Sequence, residues 1–520
     1  MLAPSVRRCA ASQLGRTPTA SASGARVRFA PSPTGYLHVG GLRTALFNYL
    51  LARHTQGSCI LRIEDTDQTR LVPGAADALQ DALAWAGIEC DEGPRQGGAY
   101  GPYVQSERLP IYRTYAERLL RAGRAYRDFR PPVQREANAR ASALLREAYL
   151  PPTEDEAQER IARGEPYVVR LRMEPGRTFT YEDGVYGTMT FRPDMIGGVG
   201  DDPIIIKSDG WPTYHLASVV DDTEMAITHV LRGEEWLPSM PKHLALYEAI
   251  EAKPPMFVHL PLLINADGSK LSKRSGDVRV EDYRARGLEP EALVNLVALT
   301  GYNHQHADAE ESDVLSMAQL IDEFELRRIS HSRATLPTEK LPFLNRRHMM
   351  AKMHDTHTRP AMLARLRPVF DTELGADTAR AIPDDKLLET ATLGCQRVDT
   401  LAEVPRSVAY FFQQPDWGAD ECRRFRASVK TPAFESVLHN APAFFEHVDA
   451  WEPVALHAAL QAWMKAQPEG RAAVQKSLRI ALSGKSAGPP VAEIAHALGQ
   501  AQTVARLHAA LAWDTAHRMP

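Results

Sequence analysis

The stretch RFAPSPTGYLHVGG, residues 28–41, decides how this chain is read. A short apolar run stops at two prolines, turns at Thr34-Gly35 and resumes as His-Val-Gly-Gly. Pro31 and Pro33 fix their own φ and bias the residues before them toward extended backbone, so no helix can start between Ala30 and Pro33. Val27 to Ala30 therefore reads as the end of a strand. From Gly40 onward, Leu42, Ala45, Leu46, Tyr49 and Leu50 recur at helical spacing. The unit is strand, tight turn, helix, with His38, Gly40 and Gly41 at the helix entrance. Free N–H groups and the helix dipole make such an entrance suited to phosphate.

Working outward, strand-like and helix-like patterns alternate through VRFA, the helix from Gly40, CILRIE and AADALQDALAWAG. That βαβα order predicts a parallel sheet. From Ile111 to about residue 200, Arg- and Glu-rich helical stretches give way to short strands such as YVVRLRM and TFTYED, read as an α+β insertion. The parallel pattern is expected to resume in DPIIIKSDGWPTYHLASVVDD, with a hairpin turn at Asp209-Gly210, then in AITHVLRGEEW and FVHLPLLI. After about Ser275 the chain reads as mostly helical, with amphipathic helices such as VALHAALQAWMKA and TVARLHAALAWDTA from Lys340 to the end.

Whole-chain numbers set limits. A length of 520 residues predicts several domains, and 44% hydrophobic with 24% charged residues is a globular composition. No apolar run is long enough to cross a bilayer, so no membrane partner is expected. The formal charge of −4 gives no global attraction to nucleic acid, so a polyanion would need local basic patches. Five scattered cysteines show no paired spacing, which predicts reduced, buried thiols and no metal site. Residues 1–25 carry Arg7, Arg8 and Arg16, several Ser and Thr and no acid, the composition of a mitochondrial or plastid transit peptide.

Two further segments carry chemistry. RIEDTD, residues 62–67, places carboxylates at the end of an apolar strand, where ligands of open α/β sheets bind. ADGSKLSKR, from Ala266, presents Lys270, Lys273 and Arg274 on a polar loop after a strand, charge suited to a triphosphate leaving group. Each has a plainer reading: His38 as a helix cap, the acids as caps of a following helix, the basic loop as a solvated turn.

Together these residues resemble a known family. APSPTGYLHVGG resembles the HIGH signature and SKLSKR the KMSKS signature of class I aminoacyl-tRNA synthetases. RFAPSPTG, RIEDTD, DEGP, GPYVQSERL, KSDGWPTYHLASVVDD, LRGEEW and KLSKR, in that order, resemble glutamyl-tRNA synthetase. The resemblance implies a Rossmann-like parallel-sheet catalytic domain split by the insertion, and an all-α anticodon-binding region. The implied boundaries are 1–25 transit peptide, 26–110 and 203–275 catalytic halves, 111–202 acceptor-stem insertion, 276–348 helical junction and 349–520 anticodon domain. It implies activation of L-glutamate with ATP and Mg²⁺ to the adenylate, then transfer to tRNA-Glu in the mitochondrial matrix, by a monomer. Charging of tRNA-Gln as well is a further expectation, as is an anticodon role for LGCQRVDTLAEV with Arg397.

The resemblance also implies residue roles. His38, Lys270 and Lys273 would be catalytic. ATP would be held by His38, Gly40, Glu235, Lys270, Leu271, Ser272, Lys273 and Arg274. Glutamate would meet Arg28, Phe29, Ala30, Ser32, Glu64, Tyr214, His215, Leu216, Ala217, Ser218 and Arg232, with Arg28 and Arg232 on the side-chain carboxylate and Glu64 on the α-ammonium. The plainer alternative pairs Arg28 and Arg232 with Glu64 or Glu235. Ser218 stands where the family has Asn, so a direct contact there would become water-mediated. Gly41 stands where the class has its final His, and no role is carried onto it. Two other readings remain: the short paralogue that glutamylates queuosine in tRNA-Asp, which lacks an anticodon domain, and an inactive RNA-binding homologue.

Overall fold

The computed structural model describes residues 24–133, 150–174, 176–191, 202–265, 268, 279–304 and 313–517. The basic segment from Ser269 to Arg274, and residues 1–23, lie outside them. The chain divides into two compact units, one of residues 1–284 and 293–338, the other of residues 285–292 and 339–520.

The first unit is built on parallel strands. β1 (Arg26–Phe29) leads into α1 (Val39–His54) and β2 (Ser58–Leu61), and β1 and β2 pair in parallel with Phe29 opposite Leu61. α2 (Ala75–Trp85) and α3 (Leu109–Arg121) follow, then the strands β3 (Ala125–Asp128) and β4 (Val168–Leu171) around α4 (Glu154–Ala162). α4 starts as its sequence dictates: Thr153 Oγ1 accepts from the Glu156 N–H while Glu156 reaches back to the Thr153 N–H. Next come β5 (Phe179–Asp183), β6 (Gly187–Phe191), β7 (Ile204–Ile206), α5 (Tyr214–Glu224), β8 (His229–Gly233), α6 (Met240–Ala249) and β9 (Met256–Leu260).

β8 and β9 pair in parallel, with Arg232 opposite His259, and β5 joins the far side of β9, also in parallel. Thr228 ties β1 to this group, donating its N–H to Arg26 O at 2.9 Å. Val27, Val230, Leu231 and Val258 are fully buried, as strands covered on both faces require. α1 packs over β8, where Asn48 Nδ2 donates to Leu231 O.

Two expectations are corrected. TFTYED, read as part of the insertion, is β5: it pairs antiparallel with β6 and in parallel with β9, extending the sheet of β8 and β9. PIIIKSDG does not resume that sheet. β7 pairs antiparallel with β4, in a three-stranded sheet β3-β4-β7. The Asp209-Gly210 turn does form: Lys207 N donates to Trp211 O, and Gly210 takes φ +81°, which glycine adopts without strain. Short apolar runs reveal burial but not which neighbour they pair with, so both segments are legible as strands while their sheets are not.

In the second unit, helices from Leu341–His354 to Gln500–Ala516 surround one core that includes Leu366, Phe370, Leu387, Phe434, Phe445, Leu478, Ile494 and Leu507. No strand is present there among the described residues. Glu289, fully buried, is held by Arg365 at 2.6 and 2.8 Å and by Lys352 at 2.8 Å. Cys59, Cys90, Cys395 and Cys422 are free and buried, as expected. Cys59 and Cys90 nonetheless touch, Sγ to Sγ at 3.2 Å, a proximity their 31-residue separation does not signal. No described helix is long and apolar enough to cross a membrane.

Candidate active site

The helix entrance behaves as the opening sequence suggests, with one added detail. His38 is the N-cap of α1: its Nδ1 accepts from the Gly41 N–H at 3.0 Å. In the neutral ring the proton therefore sits on Nε2, and the residue is exposed. The cap reading and the phosphate reading are thus compatible. The glycines have an intramolecular reason: a Cβ on Gly40 would lie 3.1 Å from His38 Nδ1, and one on Gly41 2.9 Å from Leu37 Cδ1. A side chain at either position would crowd the capping imidazole or the Leu37 side chain.

The segment expected to carry Lys270, Leu271, Ser272, Lys273 and Arg274 lies outside the described residues, but its exit is placed. Arg279 bridges to His38, and Val280 N donates to Leu37 O at 2.9 Å. The chain thus returns to the His38 cap six residues after Lys273.

The expected glutamate-binding residues gather around one face of α5. Tyr214 contacts Arg232, and Asp222 contacts Arg28, through Arg28 Nε to Asp222 Oδ1 at 3.0 Å. These two helical positions are eight residues, about 12 Å, apart along the axis, and Ser218 lies midway on the same stripe. Tyr214 sits in the combined field of Arg232, Glu64, Arg28 and Asp222; burial raises its phenol, so the hydroxyl keeps its proton. Ser218 Oγ is buried without a hydrogen-bond partner among the described residues, a polar atom placed to receive a ligand or water.

The plainer alternative for the arginines is corrected in its partners. Neither pairs with Glu64 or Glu235. Arg28 pairs with Asp222. Arg232 makes no carboxylate contact among the described residues: its Nε donates to His259 Nε2 at 3.0 Å, Nη1 to Tyr214 Oη at 3.2 Å and His243 Nδ1 at 3.3 Å, and Nη2 to Met240 Sδ at 3.0 Å. Glu64 is already bound to the fully buried Arg62, at 2.9 Å, leaving its second oxygen for an ammonium. Burial pushes the Glu64 carboxyl up while Arg62 and Arg28 pull it down. Leu216 and Ala217 point into the core beside Tyr112 and Val230, so their side chains do not line the site. Phe29 is buried, Ala30 half-buried, and Ser32 and Glu235 exposed.

Several residues of this constellation escape sequence reasoning. Arg62 holds Glu64, Asp222 at 2.8 Å and Asp221 at 3.7 Å. Asp221 also accepts from Arg108 at 2.7 Å, Gln105 at 2.9 Å and Tyr112 at 2.8 Å. Asp183, His243 and His259 back Arg232, and His215, an expected glutamate-binding residue, stands behind His243 at 3.1 Å. The consecutive acids of VVDD at a helix end are the only sequence signal, and they do not name their partners.

The histidines give this region a pH dependence. Burial, with help from Lys242 and Arg232, pushes His215 down to about 4, and burial pushes His243 below the ordinary imidazole value. In the unfolded chain both would titrate near 6.5. The folded state therefore forgoes protons that the unfolded state takes up between about 6.5 and 4, so stability present above 6.5 is lost across that window. The melting temperature is expected to fall from pH 7.5 to pH 5, and less steeply for His215→Gln. Equal slopes for both proteins would contradict the assignment.

Comparison with known proteins identifies the family. Residues 25–343 match the family model described as tRNA synthetases class I (E and Q), catalytic domain, and residues 361–511 match an anticodon binding domain. A glutamate–tRNA ligase from Chloroherpeton thalassium is 39% identical over 498 residues, covering 94% of this chain and 97% of that protein. One from Chlorobium luteolum is 40% identical, covering 93% and 96%. The crystal structure of a glutamate tRNA ligase from Elizabethkingia meningosepticum in complex with its amino acid superposes with a TM-score of 0.76 at 32% identity, covering 94% and 99% of the two chains. The chain belongs to the class I glutamate–tRNA ligase family.

Proposed function

We propose that this chain activates glutamate with ATP and transfers it to tRNA-Glu. The observation that carries the reading is the convergence on α5 of two guanidiniums, Arg28 and Arg232, and the Glu64 carboxylate, next to a strand leading into a His38-capped helix. In the first step an oxygen of the glutamate α-carboxylate attacks the α-phosphorus of ATP in line, and pyrophosphate departs. Such chemistry needs positioning and charge stabilisation rather than a protein nucleophile. Glu64 would hold the α-ammonium, Arg232 and Arg28 with Tyr214 the side-chain carboxylate, and the His38 Nε2–H a phosphate oxygen. Lys270, Lys273 and Arg274 would neutralise the β- and γ-phosphates as they leave. Mg²⁺ would arrive with ATP and add charge neutralisation at the phosphates to that of Lys270, Lys273 and Arg274. In the second step the 2′-hydroxyl of the terminal adenosine of tRNA attacks the activated carbonyl and AMP leaves.

Purified protein lacking residues 1–25 should charge a tRNA-Glu transcript with glutamate. Lys273→Ala should lower turnover roughly 100-fold or more with little change in the KM for glutamate, because leaving-group charge develops mainly in the transition state. An unchanged rate would remove Lys273 from the mechanism. The same assay with tRNA-Gln tests dual use; no transfer ends that idea. The finer expectations are a monomer acting in the mitochondrial matrix. Support for the location is the Arg-, Ser- and Thr-rich, acid-free composition of residues 1–25. A reporter fused to residues 1–25 should enter mitochondria, and a cytosolic reporter would contradict the location.

A further inference from the structure

Among the described residues beneath the strand ends, three buried guanidiniums touch carboxylates and a fourth does not. Arg28, Arg62 and Arg108 meet Glu64, Asp221 and Asp222 in a connected cluster of three guanidiniums and three carboxylates. Arg232 stands outside it. It is 5% exposed, and its four hydrogen-bonding contacts are a phenol, a thioether and two imidazoles.

The hydrogen bonds fix both imidazoles as neutral. His259 Nε2 accepts from Arg232 Nε, so its proton is on Nδ1, where it is donated to Asp183 Oδ2 at 2.6 Å. His243 Nδ1 accepts from Arg232 Nη1, so its proton is on Nε2, facing His215 Nδ1 at 3.1 Å. Protonating either ring would place a second cation against the guanidinium. Burial lowers both imidazoles, that of His259 against the pull of Asp183. Asp183 is itself anchored: burial would raise its carboxyl, but His259 and the N–H groups of Val185 and Tyr186, at 3.0 and 3.1 Å, hold it low. The nearest carboxylate in Arg232's hydrogen-bond chain is therefore held one imidazole away.

We infer that His259, fixed by Asp183, and His243, backed by His215, are positioning residues that aim Arg232 while leaving its charge uncompensated at contact distance until the substrate's side-chain carboxylate arrives. This rests on the glutamate-ligase reading. Four of the five guanidinium N–H groups are spent on neutral acceptors. One on Nη2 remains, together with the Tyr214 hydroxyl proton, since that oxygen accepts from Nη1. A carboxylate taking both would give Arg232 a counter-ion at contact distance. Glutamate's side chain supplies that counter-ion, whereas glutamine's neutral amide leaves the guanidinium with Asp183, one imidazole away, as its nearest carboxylate in the hydrogen-bond chain. Discrimination is thereby placed in what surrounds Arg232 as much as in Arg232 itself.

The test compares His243→Gln with His243→Glu, two side chains of nearly equal size that differ in charge. Glutamate-dependent ATP–pyrophosphate exchange is measured with tRNA-Glu present. His243→Gln loosens the hold on Nη1 without adding charge and should raise the KM for glutamate about 5- to 10-fold, whereas His243→Glu should raise it roughly 100-fold, with the KM for ATP unchanged in both, because an internal carboxylate competes with the substrate's. Equal KM values for the two variants would overturn the inference. Should His243→Glu fail to fold, Asp183→Asn decides: it should raise the KM for glutamate about 10-fold with kcat nearly constant, since it releases the His259 tautomer without touching substrate. An altered melting temperature with an unchanged KM would reduce Asp183 to a structural role and overturn the inference. Activity of the unsubstituted protein with glutamate is read first, and its absence would sink the ligase reading itself rather than this division of labour.

Discussion

Arg232→Gln raises the KM for glutamate at least about 100-fold and leaves the KM for ATP within about 3-fold, because loss of one partner from a buried charge pair costs roughly 3–5 kcal/mol. The size follows from the surroundings. The guanidinium is buried and has no carboxylate partner among the described residues, so its whole attraction is available to the ligand. Glutamine at this position supplies hydrogen bonds but no charge, so the variant should also lose most of its preference for glutamate over glutamine. His259 keeps Asp183 and Tyr214 keeps its tilted ring contact with Trp236, at 4.1 Å between ring centroids, so the fold has little reason to fail. The measurement is pyrophosphate exchange over a glutamate titration and an ATP titration. Equal losses for both substrates would mean general damage and would remove Arg232 as the reader of the side-chain carboxylate.

The second large effect is on stability. Arg62 is fully buried and faces Glu64, Asp221 and Asp222, so Arg62→Met leaves three buried carboxylates opposed by Arg28 and Arg108 alone. Removing one member of a buried ionic network costs about 3–5 kcal/mol, because the stranded charge has lost both water and partner. A fall in melting temperature on the order of 10 °C is expected. The loss should shrink at low pH, where the stranded carboxylates can take up protons. A shift of only a degree or two, independent of pH, would show that the cluster is not the organising charge network of this unit.

Much of the site is legible in the residues themselves. The prolines and glycines of residues 28–41 announce a strand, a turn and a helix, and α1 begins at Val39 with His38 as its cap. The apolar run into RIEDTD places Glu64 at a strand end, and β2 closes at Leu61. Helical periodicity after Lys340 matches an all-helical second unit among the described residues. Strand pairing is what the pattern does not carry: TFTYED lies beside β9, and the isoleucines of β7 lie beside β4. Apolar alternation encodes how deep a strand sits and is silent about its neighbour.

The partners of charge are equally hidden. Arg28 meets Asp222 across 194 positions, Arg62 meets it across 160, and Asp183 reaches His259 across 76. Caps, turns and helix faces are decided by groups within about four residues of one another, so the chain's own order determined them. Which arginine is neutralised and which is left charged depends on low-dielectric contacts between groups far apart in the chain, and only the tertiary structure brings those together.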